Sequence, residues 1–539
     1  MDTRTFYGRK VQDQAARAVP SDSELDDSEL ERSQEEGRSG VNHESVDQDE
    51  DEVVVENPSL PRWRTPHNAF YAHPEWQGRN IFNDIMSPLE YFQHFFSEDI
   101  LQDIVGQSNL YAIQCDPNKL LNLSTQELEQ FLGTVVYMSL FGLPGTRMFW
   151  NKACRVSQVA DTMTLNRWEA IKKALHFNNN EERQEENDPI YKIRPLVTHL
   201  NSKLTSIPMS ENLAVDEQMV PFKGRSRIKQ YLPSKPKKWG YKLLVLAGSD
   251  GVHHNFEIYT GRVVQPPELA DIGASGNVVL RLAQPIPKHE NYKLFFDNWF
   301  TSVPLVLTLA QQGIHSIGTV RCNRLPGVSL MSDAELKRTG RGSFQQKMAM
   351  VGETTLHVVK WYDNRSVTIL SDYTGAHPVT EVQRWDRKKK MLLKVPRPAV
   401  VKIYNKNMGG VDLLDSLIAL YRTKIRSKKW YRRLVFHFLD LIVVTAWLLY
   451  RRDCEGNGMM KKDQMKLYTF KSYIAEGLCR SGKSLVRRKG RPSSTIAGEY
   501  EEKRTCCSHS NTPKAKCQKC GVHLCFTSSN NCFLRFHTE

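Results

Sequence analysis

Three aspartates stand in settings that suit metal chemistry. Asp216 follows Leu213-Ala214-Val215, and Asp297 follows Leu294-Phe295-Phe296. Asp412 opens a helix after Gly409-Gly410, with Asp415 three residues on. An aspartate just past a buried strand is held by rigid backbone at a sheet edge, where ligand chemistry tends to sit. Positions i and i+3 share one helix face. Mg²⁺ takes hard oxygen ligands, typically a few carboxylates plus substrate phosphates. Two such ions can activate a nucleophilic oxygen and stabilise the leaving oxygen in phosphodiester cleavage. Singly, each aspartate is more often a turn, cap or helix-dipole residue. The surrounding sequence decides.

A second constellation is soft. Six of the 11 cysteines fall between Cys506 and Cys532. With the histidines they give nine candidate ligands: Cys506, Cys507, His509, Cys517, Cys520, His523, Cys525, Cys532 and His537. Short paired spacings let two ligands from one tight turn reach the same tetrahedral Zn²⁺. Two Zn²⁺ in a cross-brace is the expected arrangement, with Cys507 an alternative ligand. A disulfide cluster is the competing reading in an oxidising compartment. So small a module should unfold without metal.

A third stretch is cationic. Arg422, Lys424, Arg426, Lys428, Lys429, Arg432 and Arg433 occur with no acid between Tyr421 and Val435, interleaved with Tyr421, Trp430 and Tyr431. Basic side chains can neutralise phosphates and aromatics can stack on bases. A solvated helix face is the plainer alternative. Gly477-x4-Gly482-Lys483-Ser484 matches a phosphate-binding loop. It is rejected, because such a loop needs a strand before it and a helix after it, and Gly490 and Pro492 break the residues that follow.

The elements that must position these groups can be read from periodicity. From Pro88 the apolar residues Leu89, Phe92, Phe95, Phe96 and Ile100 recur at helical spacing. Ser124-Thr125-Gln126-Glu127 reads as a capping box opening a helix through Leu128, Phe131, Leu132 and Val135. Further helices are expected around Trp168–Leu175 and Ile193–Leu204. Near residue 213 the pattern changes to strands, at Asn212–Val215, Trp239–Ala247, Asn255–Tyr259, Tyr292–Phe296 and His315–Val320, with a helix over Pro304–Gln312. Residues 326–397 read as loop-rich with a hairpin over His357–Leu370. Residues 410–450 read as helix again. The apolar stretch Leu434–Tyr450 contains His437 and Asp440, so it is expected to be a core helix rather than a membrane span.

Several blocks are recognisable together. Ala214-Val215-Asp216-Glu217-Gln218, Phe296-Asp297-Asn298-Trp299-Phe300-Thr301-Ser302 and Met408-Gly409-Gly410-Val411-Asp412-Leu413-Leu414-Asp415 resemble the signature blocks of piggyBac-type transposases. So do Lys192-Ile193-Arg194-Pro195-Leu196, Tyr231-Leu232-Pro233-Ser234-Lys235-Pro236 and Gly318-Thr319-Val320-Arg321. The resemblance covers roughly residues 80–450 in consistent order and returns in the cysteine module. It implies an α/β RNase H-like catalytic core, residues 211–325 and 398–417, carrying an inserted β-rich domain at 326–397. It implies a helical dimerisation and DNA-binding domain built from 80–210 and 418–480. A basic linker at 481–503 and a zinc-binding domain at 504–539 complete the expected order.

Carried over block by block, Asp216, Asp297 and Asp412 would be the catalytic triad on Mg²⁺ or Mn²⁺, assisted by Asp415. The resemblance implies cutting at TTAA, release of the transposon through hairpin ends, and joining of 3′ ends to a new TTAA. It also favours DNA contact by Arg422, Lys424, Arg426, Lys428, Lys429, Trp430, Arg432 and Arg433, and a homodimer. Two other function classes stay open: a domesticated DNA- or chromatin-binding relative that does not cut, and a zinc-dependent interaction module on an inert core.

Composition fits these readings. Of the net charge of +14, residues 21–56 subtract 13 and residues 1–20 add 2, which leaves +25 on residues 57–539. A body that basic points to a polyanionic partner. The apolar share of 40% and the length of 539 residues exclude a wholly disordered or small disulfide-scaffold chain. Residues 1–60 form an acidic tail, expected to be disordered. Ser21, Ser23, Ser28 and Ser33 each have an acid three residues on, a pattern that acid-directed kinases favour. No apolar run follows Met1, so no secretory signal is expected. Arg487-Arg488-Lys489-Gly490-Arg491 reads equally as a nuclear import signal, a phosphate contact or solvated linker charge, and the expected location is the nucleus.

Overall fold

The computed structural model describes residues 61–66, 73–182, 188–233, 235, 237–261, 263–387 and 389–483, with the backbone of 515–516 and 523–524. Its centre is a nine-stranded mixed sheet. The strands are β1 (Asn212–Pro221), β2 (Gln230–Tyr231), β3 (Trp239–Gly248), β4 (His253–Ile258), β5 (Tyr292–Phe296), β6 (Ile314–Thr319), β7 (Phe344–Val351), β8 (Thr354–Tyr362) and β9 (Ser366–Ser371). The order is β2-β3-β1-β5-β6-β9-β8-β7, with β4 on β3. β3 runs antiparallel to β1 and to β4, whereas β5 runs parallel to β1 and β6 parallel to β5. β9, β8 and β7 then extend the sheet antiparallel. A two-stranded ribbon, β10 (Thr380–Asp386) with β11 (Met391–Arg397), stands apart from it.

Thirteen helices surround the sheet among the described residues. Before β1 come α1 (Pro88–Gln93), α2 (Glu98–Cys115), α3 (Thr125–Phe141), α4 (Ser157–Ala160), α5 (Leu165–Ala174) and α6 (Arg194–Thr205). α7 (Ala274–Leu282), α8 (Val303–Gln311) and α9 (Asp333–Thr339) lie between strands. α10 (Ala399–Asn407), α11 (Gly410–Leu420), α12 (Trp430–Gly456) and α13 (Leu467–Cys479) follow.

The period-two alternation of β3 sorts its side chains to two faces. Leu244 and Leu246 pack with Val279 and Leu282 of α7 and Leu305 and Val306 of α8. Tyr241, Leu243, Val245 and Ala247 join the core built on α12. That second core takes helices from both ends of the chain. Phe92, Phe131, Trp168 and Leu200 share it with Phe438, Ile442, Phe470 and Ile474. Asp453 of α12 fastens the two ends, accepting from the Tyr91 hydroxyl at 2.8 Å and the Asn83 amide at 3.0 Å. α12 is long and apolar enough to cross a membrane by composition, yet it is almost wholly buried within this core.

Five expectations change. Asp216 was expected just past a strand, but β1 continues to Pro221 because Gln218 to Pro221 pair with Leu243 to Gly240. The helix expected to run from Pro88 through Ile100 is two helices, α1 and α2, with Ser97 as the second N-cap. At the expected capping box, Ser124 Oγ accepts from the Glu127 amide at 3.2 Å, but the Glu127 carboxylate turns to the Arg167 guanidinium instead. Residues 326–397 are not mainly loop. β7, β8 and β9 continue the main sheet through the β6–β9 pairing, since Ile317 to Thr319 offer a free edge to Ile369 to Ser371. Residues 421–429 form neither helix nor strand, and α12 starts only at Trp430.

Gly477 lies inside α13, so no strand precedes the rejected phosphate-loop match. The acidic tail with its serines, the basic cluster at 487–491 and the candidate zinc ligands Cys506, Cys507, His509, Cys517, Cys520, Cys525, Cys532 and His537 lie outside the described residues. Of His523 only the backbone is described, where His523–Leu524 pairs antiparallel with Ala515–Lys516.

Candidate active site

Parallel pairing of β1 with β5 ends at Val215 opposite Phe296. The next residue on each strand is an aspartate, Asp216 and Asp297. The pair therefore leaves neighbouring strands in register, at the carboxyl end of β5. The turn after β5 holds Asp297 firmly. Its Oδ1 accepts the Trp299 amide at 2.8 Å, and its carbonyl accepts the Thr301 hydroxyl at 2.8 Å. Ser302 then caps α8 through the Leu305 amide. Gly318 of β6 lets this turn close: a Cβ there would sit 2.2 Å from Thr301 Oγ1 and 2.7 Å from the Phe296 ring.

Asp412 comes from a different element. It lies in the first turn of α11, which packs on β1 and β3. Gly410 sets that approach, since a Cβ there would meet the Gly248 carbonyl oxygen at 2.2 Å. Only a glycine lets the start of the helix press so closely on the end of β3. Asp415, one turn on, has an oxygen 3.7 Å from the Arg422 guanidinium.

The acids share one electrostatic neighbourhood. Burial pushes Asp216 up to about 7, Glu217 and Asp412 push the same way, and Lys235 opposes them. Asp297 is raised by burial and by Glu217, with its amide bond to Trp299 and the charge of Lys242 opposing. Asp415 is raised by burial against the pull of Arg422 and Lys235, with Asp412 raising it further. The Tyr404 phenol is raised by burial first, and then by Asp297, Asp216 and Asp412 together. Asp216, Asp297 and Asp415 are thus poor anions where they stand, which is the condition a bound cation relieves.

The donors are hard oxygens and fit Mg²⁺ or Mn²⁺ in kind. Among the described residues, no three His, Cys, Asp or Glu side chains already stand close enough to hold a metal ion. The fit is thus one of chemistry and field rather than of a closed cage.

Two lysines and a tyrosine join this neighbourhood that the sequence did not single out. Lys235 Nζ lies 3.5 Å from Glu217 Oε1 and donates to the Glu217 carbonyl at 3.3 Å. Buried Lys242 sits 4.3 Å from the Trp299 ring centroid and is pulled down by burial against Glu217, Asp297 and Asp216. Its signal was available: a lysine inside the apolar run of β3. Lys235 lies within one of the recognised blocks. Tyr404 carried no signal beyond its place eight residues before Asp412.

The eight basic-stretch residues divide. Thr423 and Ile425 are buried, while Lys424, Arg426 and Lys428 between and beyond them are exposed, so this segment presents three cations to solvent. The others serve the fold. Arg432 donates to the Lys173 carbonyl at 2.6 Å, and Arg433 donates to the carbonyls of Pro221 and Thr423, each at 3.0 Å. Lys429 donates to the Tyr111 hydroxyl at 3.0 Å, and burial brings it down to about 8. Trp430 is half-buried against Tyr241, and Arg422 faces Asp415.

A family profile described as Transposase IS4 matches residues 87–447. The human protein named PiggyBac transposable element-derived protein 3 is 31% identical over 482 residues, covering 85% of this chain and 78% of that one. Human PiggyBac transposable element-derived protein 2 is 33% identical over 396 residues, covering 72% and 65%. The cryo-EM structure of a piggyBac transposase synaptic complex with hairpin DNA superposes with a TM-score of 0.60 over 83% of this chain and 96% of that one. At 21% identity that likeness is one of fold.

Proposed function

Because the chain belongs to the piggyBac-type transposase family, we propose that it is a metal-dependent DNA transposase that cuts and joins strands at TTAA by a cut-and-paste route with hairpin ends. The observation that carries this is the register of Val215 with Phe296, which sets Asp216 beside Asp297, with Asp412 brought within electrostatic reach by Gly410. The order β4-β3-β1-β5-β6, two antiparallel steps and two parallel ones, supports reading the centre of the sheet as an RNase H-like core.

In this reading Asp216, Asp297 and Asp412 hold Mg²⁺ or Mn²⁺, with Asp415 assisting. When bound, such ions activate the attacking oxygen and stabilise the leaving one. Water attacks first and 3′ hydroxyls attack later, with no covalent protein intermediate. Lys235 and Lys242 bring positive charge to a phosphate that would otherwise meet only acids. Tyr404, its phenol raised by burial, stays neutral beside the three aspartates and can donate a hydrogen bond there. Lys424, Arg426 and Lys428 follow the DNA backbone. The protein works as a homodimer in the nucleus. The C-terminal module binds two Zn²⁺, and an acid-directed kinase modifies the N-terminal tail.

A second reading has its own support. The matching human proteins are named transposable element-derived, which fits a domesticated DNA- or chromatin-binding protein without cleavage. Excision from a plasmid carrying the element's terminal repeats flanked by TTAA separates the two. Precise TTAA repair that disappears in Asp216→Asn, Asp297→Asn and Asp412→Asn establishes the transposase. Sequence-selective binding without excision, equal in wild type and variants, establishes the binder.

A further inference from the structure

The β10–β11 ribbon has two unlike faces. A two-stranded ribbon is barely stable alone, and its inner face is well anchored. Val395 is buried, the Trp361 indole donates to the Pro396 carbonyl at 2.9 Å, and Arg384 and Arg341 both bond Asp363, Arg384 at 3.0 Å. Its outer face is unused by the fold. Trp385 is 58% exposed, directly opposite Leu392 at 55%. Beyond that apolar pair the ribbon turns between Asp386 and Met391, where the sequence reads Arg387-Lys388-Lys389-Lys390. Arg387, Lys389 and Lys390 are exposed, and Asp386 at the end of β10 accepts the Lys389 amide at 2.9 Å and so shapes the turn.

We propose that this ribbon is a second DNA contact, separate from the Lys424, Arg426 and Lys428 segment, with its basic tip on phosphates and Trp385 and Leu392 against the groove wall. The inference rests on the DNA-directed reading above and adds to it a surface. Four consecutive cations match a polyanion. Seven residues a side give a finger about 23 Å long. The major groove, about 12 Å wide, admits a two-stranded ribbon, and thymine methyls offer apolar contact there. An isolated charged turn would need no exposed tryptophan beside it, and an apolar docking patch would need no cationic tip. Duplex DNA accounts for both.

The test is binding of the full chain to a random-sequence duplex of about 30 base pairs, measured across a salt series. Three proteins are compared with wild type: Arg387→Ala/Lys389→Ala/Lys390→Ala, Trp385→Ala, and Lys424→Ala/Arg426→Ala/Lys428→Ala. The ribbon-tip variant is expected to bind about tenfold more weakly, with its log–log salt slope shallower by roughly two to three. Trp385→Ala should weaken binding a few-fold at unchanged slope. All substituted side chains are exposed, so the melting temperature serves as the folding control. If the ribbon variants match wild type in affinity and slope while the Lys424 set loses binding, the ribbon proposal fails and the DNA reading stands. That result would leave the exposed Trp385 for an acidic protein partner. If wild type binds no duplex at all, both fail.

Discussion

Thr423 gives both of its polar hydrogens to Asp440, the amide at 2.7 Å and the hydroxyl at 2.9 Å. Lys471 completes the set, donating to Asp440 at 3.0 Å and to the Tyr421 carbonyl at 3.0 Å. Asp440 and Lys471 are only 3% and 2% exposed at their side chains. This buried pair pins the segment whose exposed residues are Lys424, Arg426 and Lys428. Removing one member of such a pair strands the other charge. Asp440→Ala is therefore expected to cost about 3–5 kcal/mol in denaturant unfolding. Asp440→Ala/Lys471→Met should recover much of that loss while leaving the Thr423 amide unpartnered. A double variant no better than the single would show that the Lys471 charge is not the source of the cost.

Gly410→Ala is expected to harm the site more than the fold. The added Cβ would sit 2.2 Å from the Gly248 carbonyl oxygen, and backbone cannot yield as a flexible side chain does. α11 must move off β3 and take Asp412 with it. Misplacement by about 1 Å can cost around 100-fold in rate. Strand cleavage should fall at least that far, with a stability loss of about 1–3 kcal/mol from overpacking. Gly409→Ala is the control: a Cβ there meets nothing within 4 Å. Equal activity in the two variants would remove the close approach as the explanation.

The sequence made some of this legible and hid the rest for physical reasons. The strand carrying Asp297 and the N-cap at Ser124 follow local rules, so they were readable. Asp216 was misplaced at a strand end because nothing local reveals that Gln218 to Pro221 pair with β3. The run 326–397 looked like loop because the strands β7 to β9 find their partners across the sheet. Within the basic stretch, charge was visible but direction was not. Thr423 and Ile425 turn inward because Asp440 and the helical core lie there, and that decides which cations face solvent. Lys242 was passed over because an apolar strand reads as pure core until the acids around it are placed.

Two buried histidines predict acid sensitivity. His253 and His254 of β4 have no hydrogen-bond partner on either ring nitrogen, and burial brings each down to about 3, with Arg452 and His253 adding to the effect at His254. The folded state holds them neutral while the unfolded chain protonates near pH 6.5. Unfolded protein then binds more protons, so stability is full above that value and falls as pH drops through the window from about 6.5 to 3. Between pH 7 and pH 5 the expected loss is about 2 kcal/mol per histidine. His253→Phe should flatten the urea midpoint against pH over that range by one histidine's share. An unchanged slope would mean that His253 is already protonated when folded.

Asp216→Asn should separate stability from chemistry. In the folded protein the Asp216 carboxyl sits near 7, raised by burial, by Glu217 and by Asp412. A carboxyl raised above its unfolded value costs stability once pH exceeds that unfolded value, because the folded state then resists ionisation. At neutral pH in the presence of a chelator, the amide removes that cost, and the variant is expected to be more stable by on the order of 1–2 kcal/mol. Adding Mg²⁺ should reverse the ranking. Wild type gains stability by mass action on its folded state, whereas the variant has lost a charged ligand and gains little. Thermal melts with and without Mg²⁺ read this without any cleavage assay, so they bear on the ion site even if the protein proves to be a binder. A variant that melts below wild type in chelator and still responds fully to Mg²⁺ would remove Asp216 from the ion site and leave it a structural residue of β1.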